Sequence, residues 1–320
     1  MQESSVRLGV VMDPIETIKP EKDSTFAMLL EAQARGWQIF YMRQADLRVR
    51  DGAALAIARA LKVRDEPAGW FTLGTAEETP LETLDAIFMR KDPPFDMEYI
   101  YTTYLLEQAA EAGAVVVNDP QALRDVNEKA FIARFPECAP PTLIAREIRS
   151  MQSFLDEHRR IVVKPLDGMG GRSIFVVSED DGNRNVILET ITGSGTRFAM
   201  AQAWLPAIVS SGDKRILLID GQPVPYALAR IPVQGEHRGN LVMGARGEGR
   251  ELTERDRWIC ARVGPELARR GVLFAGLDVI GDHLTEINIT SPTGIREIDR
   301  AFSINVSGSL LDAVEARLAG

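Results

Sequence analysis

Gly276-Leu277-Asp278-Val279-Ile280-Gly281-Asp282-His283-Leu284-Thr285-Glu286-Ile287-Asn288-Ile289-Thr290 reads as two strands around a tight turn, because apolar and polar residues alternate on both sides of Gly281-Asp282. Glu286 and Asn288 are two apart, so a strand places them on one face. A three-residue connection, Gly281 to His283, sets Ile280 opposite Leu284 and Asp278 opposite Glu286. That register is expected here; a two-residue turn would send Asp278 to the other face. Oxygen donors of this kind suit a hard cation such as magnesium, which takes one or two carboxylates together with substrate phosphates. Clustered without positive partners they would repel, an objection that a bound dication removes. The bland alternative is the polar outer face of an edge hairpin.

Working upstream, Lys164-Pro165-Leu166-Asp167-Gly168-Met169-Gly170-Gly171-Arg172-Ser173 lies between strand candidates Ile161 to Val163 and Ser173 to Val177. Its glycines let the backbone approach a ligand closely and aim amides at an anion. It is no Walker loop, since no Gly-Lys-Ser/Thr follows, and no dinucleotide fingerprint, since a strand follows instead of a helix. A glycine-rich hairpin without a ligand is the competing reading. Lys164 ends the first strand beside this loop, and Lys129, in Asn127-Glu128-Lys129, is a second ammonium for the same anion. Further strands are expected at Ala199 to Trp204, Ile216 to Ile219 and Val224 to Arg230. Arg215 opens one of these and Arg230 ends another. The glycine-rich stretch from Ile231 to Arg250, which carries Arg238, reads as a mobile lid or as a plain surface loop.

The first third of the chain follows a different pattern. Leu8 to Met12 and Ile39 to Met42 flank a helix that Asp23 or Ser24 can cap and Gly36 can close, the strand-helix-strand unit of a parallel sheet. Strands at Leu84 to Met89 and Ala114 to Val117 flank a helix from about Phe95 to Ala112. A helical stretch at Leu123 to Phe135 precedes the breaker Pro140-Pro141, so the domain boundary falls near 120 to 128. The second part reads as α+β with antiparallel pairing.

Composition excludes several classes. The 320 residues are 45% hydrophobic and 26% charged, which rules out disorder. Lysine and arginine total 37 against 46 acidic residues, a net charge of −9, so neither nucleic acid nor an anionic membrane is an expected partner. Cys138 and Cys260 form no CxxC pattern, and a reducing cytoplasmic setting is expected. The apolar run Leu8 to Met12 is too short for a signal-peptide core. The three histidines share no spacing of a metal site or triad.

Taken in order, Asn127-Glu128-Lys129, the Lys164 to Gly171 loop, Gln202-Ala203-Trp204-Leu205-Pro206, Asp213-Lys214-Arg215, Ala229-Arg230-Ile231-Pro232 and Glu286-Ile287-Asn288 resemble the ATP-grasp ligases. Val11 to Ile15, Met89 to Asp96 and Thr290 to Glu297 bring the resemblance closer, to the bacterial glutathione synthetase family, over essentially the whole chain. The resemblance implies an N-terminal open parallel-sheet α/β domain, residues 1–124. An ATP-grasp fold would follow at 125–320, as a lid subdomain at about 128–204 and a C-terminal subdomain at about 205–320, with two antiparallel-containing sheets sandwiching the nucleotide.

It implies ATP bound by Lys129, Lys164, Gly168, Met169, Gly170, Gly171, Gln202, Ala203, Trp204, Leu205 and Asp213. Asp278, Glu286 and Asn288 would hold Mg2+, with Mn2+ as a substitute. Arg215, Arg230 and Arg238 would stabilise charge in the reaction, and Asp13, Arg90, Ser291 and Thr293 would contact the peptide. The implied reaction joins γ-glutamylcysteine to glycine through an acyl phosphate, in a homotetramer. The alternatives are another carboxylate-amine ligase with a different peptide substrate, and an ATP-binding module without catalysis. A nicotinamide dehydrogenase has no glycine fingerprint after Val10 to Met12 to support it.

Overall fold

The computed structural model describes residues 5–168, 171–232 and 246–320. Its first sheet grows from the apolar run predicted near the N-terminus. β1 (Arg7–Met12) pairs in parallel with β2 (Gln38–Met42) and β6 (Ala86–Arg90), and β6 pairs in parallel with β7 (Val115–Val117). Three antiparallel strands, β3 (Leu47–Arg50), β4 (Ala53–Val63) and β5 (Phe71–Pro80), extend it in the order β3-β4-β2-β1-β6-β7, with β5 on β4. Sequence reading missed these three. α1 (Ser24–Ala34) starts at Asp23, whose carboxylate accepts from Phe26 N at 2.7 Å, and α2 (Met97–Glu111) starts in the same way at Asp96. The expected helix over Leu123 to Phe135 is instead two pieces, α3 (Pro120–Asp125) and a 3-10 turn at Ala130–Arg134.

The second sheet is antiparallel throughout: β8 (Thr142–Ala145), β9 (Arg160–Pro165), β10 (Phe175–Ser178) and β11 (Ala199–Ala203), in the order β10-β9-β11-β8. α4 (Ile148–His158) and α5 (Arg184–Thr192) cover one face, where Met151, Leu155 and Leu188 pack against Ile161, Val163 and Ala201. Period two then turns Val162 and Lys164 to the opposite face.

The third sheet, also antiparallel, runs β14-β13-β12-β15-β16, with β12 (Asp213–Ile219), β13 (Gln222–Ile231), β14 (Arg246–Glu251), β15 (Phe274–Ile280) and β16 (His283–Asn288). The short α6 (Ala207–Ser211) leads into β12. α7 (Glu254–Arg269) backs the sheet, burying Ile259, Val263 and Leu267 with Ile216, Leu218 and Val279. Lys214, on that back face, pairs with buried Asp256 of α7 at 2.5 Å. β14 corrects the lid expectation. Arg246 to Arg250 is a strand paired with β13, and residues 233–245, Arg238 among them, lie outside the described residues.

The last helices, α8 (Ile295–Phe302) and α9 (Val306–Leu318), return to the first sheet, where Arg35 of α1 pairs with Asp312 and Glu315 of α9. At the other seam buried Asn118 donates to Phe274 O and Ile289 O and accepts from Leu273 N and Phe274 N. Such a fully satisfied polar residue fixes the first sheet against the third. No helix among the described residues is long and apolar enough to cross a membrane.

Candidate active site

Between the second and third sheets lies a cleft of about 160 Å³. β9 and β11 supply one wall, with Val162, Lys164 and Gln202; β12, β13, β15 and β16 supply the other. Register makes the second wall a charge ladder. Asp213 lies opposite Arg230, Arg215 opposite Asp278, Asp278 opposite Glu286, and Gly276 opposite Asn288.

The hairpin reaches its expected register by a different route. The turn is the two-residue Gly281-Asp282, with Ile280 opposite His283 and Val279 opposite Leu284. A bulge then leaves Thr285 without a counterpart and brings Glu286 opposite Asp278. One inserted residue offsets the one-residue difference in the turn.

The acidic residues do not stand without positive partners, so that part of the sequence argument is corrected. Asp278 Oδ1 accepts from Arg215 Nε at 2.5 Å, and its Oδ2 accepts from Arg215 Nη2 and Arg230 Nη2, each at 2.9 Å. Asn288 Nδ2 adds a contact to the same Oδ2 at 3.2 Å. Glu286 Oε1 accepts from Lys164 Nζ at 3.2 Å and lies 3.9 Å from Lys129 Nζ. Lys129 donates to Gly168 O of the glycine loop at 2.6 Å.

Burial works to raise the pKa values of Asp278 and Glu286. For Asp278, Arg215 and Arg230 overcome it, and for Glu286, Lys129 and Lys164 do, so both carboxyls stay below their ordinary values. Lys164 is pulled down by its own burial. Asp213, hydrogen-bonded to Arg230 through Oδ2, is pushed up to about 7, first by burial and then against the pull of Arg230. Its Oδ1 is buried without a partner among the described residues.

Lys129, Lys164, Gly168, Gly171, Gln202, Ala203, Trp204, Leu205, Asp213, Arg215, Arg230, Asp278, Glu286 and Asn288 all line this cleft. Met169 and Gly170, like Arg238, lie outside the described residues. The strand expected through Trp204 ends at Ala203, and the Arg160 guanidinium sits 4.4 Å from the Trp204 ring centroid. Asp13, Arg90, Ser291 and Thr293 do not line the cleft. Asp13 pairs with Lys91 at 2.9 Å and accepts from Asp92 N. Arg90 is buried and donates to Pro292 O, while Thr293 O accepts from Arg215 Nη1 at 3.4 Å.

Sequence reading assigned no role to Glu128, although it lines the cleft beside Lys129. It also overlooked the apolar walls Val162, Ile174, Ile208 and Ile280. Two of those were within reach, since Val162 is two residues before Lys164 and Ile280 two after Asp278.

Among the described residues no three His, Cys, Asp or Glu side chains form a metal cage by themselves. The donors present are nevertheless all oxygen. Both lysines address Oε1 of Glu286, and Asn288 turns its amide nitrogen to Asp278, leaving Oε2 and the amide oxygen for a hard cation shared with phosphates.

Two ammonium groups, a glycine loop and two arginines facing carboxylates make a cleft between antiparallel sheets suited to an anionic ligand. The class is the ATP-dependent carboxylate-amine ligases of ATP-grasp fold. The model of the prokaryotic glutathione synthetase N-terminal domain matches residues 6–124, and that of its ATP-grasp domain matches 128–303. The glutathione synthetase of Pseudomonas putida is 60% identical over 98% of this chain and 99% of that protein. That of Vibrio vulnificus is 54% identical over 98% of both. Among solved structures, D-cycloserine synthetase superposes with a TM-score of 0.67 at 16% identity, over 98% of this chain and 99% of that one. D-alanyl-alanine synthetase A of Vibrio cholerae gives 0.62 at 13% identity, over 99% and 100%; both likenesses speak to the fold. The chain belongs to the prokaryotic glutathione synthetase family.

Proposed function

We propose that this chain joins the cysteinyl carboxylate of γ-glutamylcysteine to the amine of glycine, with ATP converted to ADP and phosphate. The observation that carries the reading is the convergence of Lys129, Lys164, Arg215 and Arg230 on one cleft shared with Asp278 and Glu286. On this reading residues 1–124 form the substrate-side domain and 125–320 the ATP-grasp domain, with subdomains at 128–204 and 205–320.

ATP lies between the sheets. Its triphosphate displaces the Lys129 and Lys164 ammonium groups from Gly168 O and Glu286, and the backbone of Gln202 to Leu205 meets the adenine. Asp213 takes the ribose side. Glu286 Oε2 and the Asn288 amide oxygen would hold a magnesium or manganese ion, which when bound supplies charge neutralisation at the phosphates. Asp278, expected as a third ligand, has both oxygens engaged by Arg215 and Arg230.

A carboxylate oxygen of the dipeptide attacks the γ-phosphorus, the bond to ADP breaks, and an acyl phosphate forms. The glycine amine then attacks the acyl carbon. Phosphate leaves, and the amine loses a proton. Charge accumulates on the transferring phosphoryl oxygens and then on the tetrahedral oxygen. Arg215 and Arg230, fixed in advance by Asp278 and Asp213, face that charge without reorganising. Gly168 and Gly171 of the glycine loop lie beside the phosphates, and Ser291 and Thr293 hold the peptide beside Arg215. Asp13 and Arg90 act from the N-terminal side, and a homotetramer and a cytoplasmic setting complete the reading.

Phosphate release tests it. Turnover is expected only with ATP, Mg2+, γ-glutamylcysteine and glycine all present, and Glu286→Gln is expected to stay folded and lose it. Equal turnover with D-alanine in place of both peptide substrates, or full activity of the variant, contradicts the reading.

A further inference from the structure

Beside its charges the cleft has an apolar wall, made by Pro140, Val162, Ile174, Ile208 and Ile280. One polar side chain of the second sheet stands in that surroundings. Register sets Thr142 of β8 opposite Gln202 of β11, and Gln202 opposite Val162 of β9. Residues directly opposite one another share a face, so the three form a row across the sheet on its cleft side. The next row along holds Met200 and Lys164, about 7 Å further down the strands. Gln202 is only 4% exposed and lines the cleft, whereas Thr142 does not line it.

The hydrogen bonds of this row run in one direction. Thr142 Oγ1 donates to Pro140 O at 2.7 Å. A hydroxyl has a single hydrogen, so toward Gln202 the same oxygen can only accept. It accepts from Gln202 Nε2 at 3.2 Å. The two ends of a side-chain amide have nearly the same shape, and the neighbours decide which way it turns. Here Thr142 decides it. Gln202 Oε1, which has no hydrogen-bond partner among the described residues, is the end left for the cleft, and it is an acceptor.

We propose that Thr142 is a positioning residue that sets the nucleobase specificity of the cleft. Its hydroxyl fixes Gln202 as an acceptor, which takes a hydrogen from a 6-aminopurine and rejects a 6-oxopurine, while Thr142 itself touches no part of the nucleotide. A 6-oxopurine brings its carbonyl oxygen against Oε1, two acceptors with no hydrogen between them. The inference rests on the reading that the nucleotide lies between the sheets with its base at Gln202 to Leu205. A Thr142 that served packing alone would change all nucleotides equally or none.

Inosine triphosphate, which carries an oxygen where ATP carries the amino group, is the probe, used with the full chain and with γ-glutamylcysteine and glycine saturating. The wild type is expected to favour ATP in kcat/KM. Thr142→Val, which has no hydroxyl to hold the amide, is expected to shrink that preference about fivefold. Thr142→Ser keeps the hydroxyl and is expected to stay within about twofold of the wild-type preference. Thr142→Ala decides alone if the valine variant does not fold, with the same fivefold loss expected. A wild type without preference, a preference unmoved by loss of the hydroxyl, a serine variant that loses it, or equal losses with both nucleotides overturns the proposal. Wild-type turnover with ATP separates the two readings. Its absence removes the nucleotide reading and this inference with it; turnover with an unmoved preference removes this inference alone.

Discussion

Asp213 carries the least settled charge of the cleft. One oxygen bonds Arg230, the other is buried without a partner among the described residues, and burial pushes the carboxyl up to about 7. Between its ordinary 3.8 and that value the folded chain retains a proton that the unfolded chain has lost, so this residue's contribution to stability falls as pH rises through that window. Asp278 and Glu286 have the opposite sign. Their carboxyls are held down in the fold, so they stabilise above their ordinary values, and that contribution disappears on acidification. Asp213→Asn is therefore expected to gain melting temperature relative to the wild type as pH is raised from about 4 to 7. Parallel melting curves for the two across that range would contradict the sign. No local pattern could have given this, because the cations bonded to these carboxyls, Arg230 for Asp213 and Lys164 for Glu286, lie 17 and 122 residues away.

At the scale of elements, two glycines show the sheets doing different work. Gly276 of β15 lies under Arg215, and a Cβ there would meet Arg215 Cδ at 2.7 Å and Pro292 Cβ at 3.1 Å. Gly276→Ala should push the guanidinium off Asp278 and cut turnover about tenfold or more, with a small change in melting temperature. Gly264 of α7 packs on the β12–β13 turn, where a Cβ would meet Gly221 O at 2.0 Å. Gly264→Ala should cost about 1–3 kcal/mol of stability and leave KM values alone. The reverse pattern, an inactive but equally stable Gly264→Ala, would contradict this division.

The elements that sequence predicted well are those with an unbroken apolar run or a capping residue, such as β1 and α1. β4 and β5 were missed because each has a wet face carrying Arg59, Lys62, Glu77 and Glu78, although Asp51-Gly52 between β3 and β4 is a hairpin signal. The bulge at Thr285 was illegible. Nothing in the alternation marks an extra residue, and its role is visible only when Lys164 Nζ is seen donating to Thr285 O at 3.2 Å.

Over the whole molecule, the first sheet is tied to the third sheet and the loop beyond it by buried polar contacts. Asn118 bridges to β15, and Arg90, Asp92 and Ser24 grip the loop after β16. On the function proposed above, the N-terminal part would hold the peptide and the two antiparallel sheets the nucleotide. The ATP-grasp resemblance was legible from short motifs because those at 127–129, 164–171, 202–206, 213–215, 229–232 and 286–288 each place a residue in the cleft, whereas the stretches that narrowed it to the family lie outside it. The seam was not, because Arg90 and Pro292 are 202 residues apart.

The claim at the centre is that this cleft moves a phosphoryl group onto the carboxylate that becomes the amide. γ-Glutamylcysteine labelled with ¹⁸O in both oxygens of its cysteinyl carboxylate tests it in one turnover with ATP, Mg2+ and glycine. One labelled oxygen is expected in each phosphate released, and its partner in the new amide carbonyl. Unlabelled phosphate would contradict the account.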